Sequence, residues 1–92
     1  MESYRILVSG KVQHVYYRKH ISQALMRLGV QGYIRNLGDG TVEVVARIYE
    51  DSLDTVLGIL EQGSPLSHVS DIHTEVLEDD DIVYDGFEIR YS

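Results

Sequence analysis

Nine residues, Val12–His20 (VQHVYYRKH), contain His14, Arg18, Lys19 and His20 and no carboxylate, in a chain whose formal net charge is -7. An arginine in such a place has chemical meaning, because its planar guanidinium offers paired donors to the oxygens of a phosphate or carboxylate. The stretch lies between a strand-like segment and a helix-like one, where the opening amides of the helix have no intrahelical partner and its dipole is positive. Amides and Arg18 together could form an anion cradle. The plainer alternative is that Arg18 pairs with a surface acid, at about 0–1 kcal/mol. Asn36 is the second candidate. It stands just before Gly38-Asp39-Gly40, and since asparagine is disfavoured within strands it either belongs to that turn or presents its amide to a ligand.

The charge is divided unevenly along the chain. Residues 1–38 hold six Lys or Arg and one acid, whereas residues 39–92 hold two basic residues and fourteen acids. A long nucleic acid would be repelled over most of such a surface, since its affinity grows with the number of Lys and Arg contacts. A small anion needs only a local positive site. A structural alternative is that the two halves face and neutralise each other across the fold.

Positioning those residues requires a fold. A chain of 92 residues can bury about 60–65% of its unfolded surface, enough for one domain without disulfides or metal. The absence of cysteine removes thiolate metal sites and cysteine nucleophiles and leaves the redox compartment open. No apolar run reaches membrane-spanning length, and Met1–Arg5 does not begin like a signal peptide, so the expected location is the cytoplasm.

Tyr4–Val12 is rich in β-formers, and Val15–Leu28 has apolar residues at Ile21, Ala24, Leu25 and Leu28, a helical spacing closed by Gly29. Val30–Leu37 and Thr41–Tyr49 read as strands joined by an Asp-Gly hairpin turn. Asp51 or Ser52 could cap a second helix carrying Leu53, Val56, Leu57 and Leu60 on one face, ended by Gly63-Ser64-Pro65. Ser70–Leu77 and Phe87–Tyr91 are the last strands, separated by the acidic run Glu78–Asp81, which is expected to be a solvated turn. The order is βαββαβ with a short extra C-terminal strand: an α+β ferredoxin-like sandwich with two helices on one face of an antiparallel sheet. That architecture hosts unrelated activities, so function must be argued from the site.

At both candidate segments the sequence resembles the acylphosphatases. The first signature of that family reads here as Gly10, Val12, Gln13, His14, Val15, Tyr17, Arg18 and Ala24, and the second as Gly32, Ile34, Asn36, Asp39, Gly40 and Val42. Weaker likeness continues through Gly63-Ser64-Pro65 and Gly86-Phe87-Glu88-Ile89, so residues 1–92 are expected to form a single domain of this kind. The resemblance implies hydrolysis of acyl phosphates without metal, cofactor or covalent intermediate. It implies Arg18 as the phosphate binder, Asn36 as the residue that orients the attacking water, and Gln13, His14, Val15, Tyr16 and Tyr17 as the substrate-binding loop. The expected partner is a small-molecule acyl phosphate, with no nucleic acid and no membrane, and the expected state is a monomer.

One position departs from the family pattern. His14 stands where glycine is usual, a place where positive φ and close approach to phosphate are easiest for glycine. Its imidazole would either enter the cradle or turn to solvent while straining the loop mildly. His20, His68 and His73 have no metal-ligand spacing, and Lys19 reads as a solvated lysine or a guide for substrate. Tyr17 is expected to pack inward and Tyr16 to rim the site. Two rival classes share the fold. An RNA-recognition module would want basic and aromatic residues on the third strand, where TVEVVARIY offers Glu43, Arg47 and a terminal Tyr49. A regulatory, non-catalytic module of the kind found within larger hydrogenase-maturation proteins is the other.

Overall fold

The computed structural model describes residues 1–78 and 84–91. Glu2–Lys11 forms β1, Tyr17–Arg27 α1, Gln31–Asn36 β2 and Val42–Ile48 β3. A 3-10 turn at Glu50–Ser52 leads into α2 (Leu53–Gln62), followed by β4 (His68–Leu77) and β5 (Phe87–Arg90). The elements fall where apolar periodicity places them, with ends moved by one or two residues. The acidic run expected to be a solvated turn lies, beyond Glu78, outside the described residues.

The sheet has the order β4-β1-β3-β2-β5. β1 pairs antiparallel with β3 and β4, and β2 pairs antiparallel with β3. The fifth strand departs from the antiparallel expectation: β5 lies parallel to β2, with Gly32 opposite Phe87 and Arg35 opposite Arg90. The reason is topological. β4 finishes at Leu77 opposite Ser3, at the start of β1, so the chain reaches the far edge from that end and must run along β2 in the same direction. Parallel pairing therefore delivers Arg90 and Tyr91 to the end of the sheet where β1 and β2 finish and α1 begins.

Both helices cover one face. Tyr4, Ile6 and Val8 of β1, Ile34 of β2 and Val42, Val44, Ala46 and Ile48 of β3 pack against Tyr17, Ile21 and Leu25 of α1 and Val56 and Leu60 of α2. Each such side chain stabilises the fold by about 1.5–3 kcal/mol when fully buried. Strand alternation puts Glu43 on the opposite, helix-free face. There its carboxylate accepts from Arg5 Nε at 2.6 Å and Arg35 Nε at 2.7 Å, and Arg5 also reaches Glu75 at 3.1 Å. The basic first half and acidic second half do meet across the fold, and among the described residues Arg18 takes no part in these ion pairs.

Two glycines permit backbone approach. At Gly10, where the β1–β4 register shifts, a Cβ would collide with the carbonyl oxygen of His68; at Gly32 it would collide with that of Val45. Any side chain at Gly32 would push β2 away from β3 and misplace Asn36 at its end. The expected side-chain cap of α2 is not formed. Ser52 occupies the N-cap position with helical backbone (φ -91°, ψ -8°) and no side-chain cap bond, because the preceding 3-10 turn brings the chain in already coiled. No described helix is long and apolar enough to cross a membrane.

Candidate active site

The loop between β1 and α1 alternates between core and solvent. Val12, Val15 and Tyr17 are buried, whereas His14 and Tyr16 are exposed and Arg18 is half-buried. Three tethers hold that pattern. Gln13 Nε2 donates to the carbonyls of Leu37 and Thr41, both at 2.9 Å, tying the loop to the β2–β3 turn. Ser64 Oγ donates to the Val15 carbonyl at 2.9 Å, and Tyr17 Oη donates to the Leu60 carbonyl at 2.7 Å. Burial pushes the Tyr17 phenol above its ordinary pKa, so it stays a neutral donor.

Held in this way, the loop adopts an uncommon backbone. His14 (φ 62°) and Tyr16 (φ 60°) both adopt left-handed backbone, the only described residues other than glycine to do so. Left-handed residues alternating with others are the geometry of an anion-binding nest, in which successive N–H groups converge. The first amide at the start of α1 to find a main-chain acceptor is that of His20, on the Tyr16 carbonyl at 3.0 Å. No side chain caps the helix, and its first turn holds no acid. Strain at two non-glycine residues is costly, and here it falls immediately before the open amides at the start of α1.

Above the loop is a cleft of about 440 Å³ lined by His14, Tyr16, Arg18, Lys19, Asn36 and Tyr91, with Val12, Tyr17 and Ile89. Arg18 NH1 donates to the Arg90 carbonyl at 3.2 Å, and its guanidinium carbon lies 4.9 Å from the Tyr91 ring centroid. Its partners among the described residues are a carbonyl and a ring, neither of which cancels its charge, and no described carboxylate pairs with it. Asn36 ends β2 opposite Val42. Its Oδ1 is buried and accepts no hydrogen bond from the described residues. The β2–β3 turn is closed independently: Asp39 Oδ1 accepts from the amide and hydroxyl of Thr41, which hold its carboxyl below the usual range. Asn36 is therefore not consumed by the turn.

Of the residues expected at the site, the structure brings together Arg18, Asn36, His14, Tyr16 and Tyr17. The side chains of Gln13 and Val15 do not line the cleft; one ties the loop to the hairpin and the other packs in the core. His14 resolves as an exposed left-handed residue whose side chain nonetheless borders the cleft. Lys19, expected to be solvated or to guide substrate, is exposed and lines it as well. Ile89 and Tyr91 are additions. Only the direction of β5 brings them there, and nothing in the short segment Phe87–Tyr91 signals it.

The fold and cleft together define an α+β sandwich with a cleft at its strand-to-helix loop, lined by Arg18 from α1 and by Asn36 from the end of β2. The acylphosphatase family model matches residues 4–89, and the chain belongs to the acylphosphatase family. It is 41% identical over 85 residues to an acylphosphatase of Haloquadratum walsbyi, covering 92% of this chain and 89% of that one. It is 37% identical over 90 residues to an acylphosphatase of Methanocella arvoryzae, covering 98% of this chain and all of that one. The solved structure of an acylphosphatase from Bacillus subtilis superposes with a TM-score of 0.90 at 32% identity, over 99% of this chain and all of the other.

Proposed function

We propose that this chain hydrolyses acyl phosphates to a carboxylate and inorganic phosphate, the activity that the name of its relatives denotes. The observation that carries the site reading is the meeting of Arg18, which pairs with no carboxylate among the described residues, and Asn36 on one cleft beside a helix start without a side-chain cap. The phosphoryl group rests on the amides of residues 13–18 and on Arg18. The carboxamide of Asn36 holds water by a hydrogen bond and leaves a lone pair of the water oxygen aimed at phosphorus. The water oxygen forms a new P–O bond as the P–O bond to the acyl group breaks. The electron pair leaves on the carboxylate oxygen, and the water's protons stay with the phosphate product.

Little covalent help is needed. A carboxylate is a good leaving group, so positioning the reactants in line and stabilising the phosphoryl oxygens supply most of the effect. Charge complementarity comes from Arg18 and the amides, and the proposed reaction uses no metal. The enzyme is expected to act as a monomer in the cytoplasm.

The test is turnover of benzoyl phosphate by the purified protein in the presence of EDTA, with Arg18→Lys alongside. Hydrolysis that persists with EDTA and falls by about a hundredfold or more in Arg18→Lys is expected, because a point charge does not reproduce a bidentate fork. No turnover by folded protein would refute the activity, and near-normal kinetics of Arg18→Lys would refute the role of the arginine.

A further inference from the structure

A second hollow, of about 350 Å³, adjoins the cleft. It runs between the first two turns of α1 and the segment after α2, and it is bordered by Tyr16, Lys19, Gln23, Ser64, Pro65 and Leu66. Tyr16 and Lys19 line both hollows, so the two are continuous across one ridge. Lys19 and Gln23 lie one turn apart on one flank of α1, after the left-handed N-cap residue Tyr16, while Arg18 turns to the other, toward β5. Tyr16 is 75% exposed and Leu66 62% exposed, an apolar pair left in water on either side of the same hollow.

In-line displacement decides what this hollow receives. The water held by Asn36 approaches phosphorus from the side of β2, so the leaving group must depart on the opposite side. Asn36 and Arg18 both stand on the β2–β5 side of α1. Away from them the path crosses Tyr16 and Lys19 and enters the second hollow. A cation is thus placed on the path along which a carboxylate separates, and apolar surface lies beyond it.

We propose that this hollow is the acyl-group subsite, and that the substrates of this chain are acyl phosphates whose acyl part is apolar and extended, such as an aromatic ring, in preference to the shortest ones. This rests on the proposed acyl phosphate hydrolysis. Ground-state contact with Tyr16 and Leu66 is uniform binding, so its effect falls on KM and leaves kcat alone. Gln23 is exposed on α1 and Leu66 is exposed in a connecting segment, so both accept substitution without disturbing the core.

The experiment compares benzoyl phosphate with acetyl phosphate on the native protein, Leu66→Ala and Gln23→Trp, with circular dichroism as the check of fold. Leu66→Ala removes the apolar contact and Gln23→Trp fills the hollow. Each is expected to raise KM for benzoyl phosphate by about three- to tenfold, with kcat within twofold and acetyl phosphate kinetics unchanged. An equal effect on both substrates, or on neither, overturns the subsite while the hydrolytic function stands. Failure of the native protein to turn over either substrate removes the function itself and the subsite with it.

Discussion

The guanidinium carbon of Arg18 lies 4.9 Å from the centroid of the Tyr91 ring, joining the first turn of α1 to the residue just past the last strand. Tyr91 is 82% exposed, so its ring does little for the core. What it does is hold the fork of Arg18 against one face, leaving the rest of the guanidinium to the cleft. An exposed cation–π contact contributes about 0.5–1 kcal/mol. Tyr91→Ala is therefore expected to lower kcat/KM by about two- to fivefold with little change in Tm. A loss of stability without a loss of activity would assign the ring to packing instead.

Asn36→Ala separates catalysis from stability. Removing an amide that positions water is expected to cost about a hundredfold in kcat, with a smaller change in KM. The same change deletes a buried acceptor that no described residue satisfies, and such atoms are costly to bury. The variant should thus be as stable as the native protein or more so in urea denaturation. A change confined to KM would make Asn36 a substrate-binding group.

His14→Gly addresses the departure from the family signature. With φ at 62°, an imidazole-bearing residue is held in backbone that glycine adopts without steric cost. Relief of that strain is offset in part by the greater freedom of glycine in the unfolded chain. The net expectation is a gain of about 0.5–1 kcal/mol, read from the urea midpoint. Lower stability would show that the exposed imidazole makes a contact worth more than the strain it imposes.

Glu43 sets a pH dependence on the helix-free face. Burial raises its pKa, but hydrogen bonds from Arg35, Arg5 and Tyr33 outweigh that, and the net shift is downward. A carboxylate with a depressed folded pKa contributes stability that is present above its unfolded value, near 4.5, and is lost as pH falls through the lower folded value. The native protein should lose stability below about pH 4.5. In Glu43→Gln that part of the loss should disappear, while stability at neutral pH falls by about 1–3 kcal/mol because Arg5 and Arg35 lose their shared anion. Parallel pH profiles for the two proteins would show that the network contributes nothing to the acid limb.

Gln13 links loop and hairpin. Its amide bridges the carbonyls of Leu37 and Thr41, so Gln13→Ala removes one bond from each, leaving Thr41 O with the Leu37 amide and Leu37 O with the Gly40 amide. The expected cost is about 1–2 kcal/mol of stability. Because the bridge sets the distance from the cradle to Asn36, kcat should fall as well. Unchanged kcat in a destabilised variant would separate the tether from catalysis.

The amino-acid sequence by itself determined the local structure. Apolar periodicity marked both helices and their inward residues, from Ile21 and Leu25 to Val56 and Leu60. The Asp-Gly pair marked the hairpin, and the likeness of two short segments to the acylphosphatase signatures singled out Arg18 and Asn36. These are near-neighbour properties, set by side-chain period and turn chemistry over a few residues.

Only the tertiary structure decided the relations between distant segments. It chose parallel pairing for β5, because β4 ends at the far end of the sheet, and so brought Tyr91 and Ile89 to a cleft that neither advertises. It made the side chain of Gln13 a strut between loop and hairpin. It made Lys19 a shared wall of two hollows, since which flank of α1 meets the segment after α2 depends on helix packing. Residue type fixes what each group can do; the direction in which the last strand returns and the flank on which the helix lies are long-range packing outcomes, and they determine which of those groups meet.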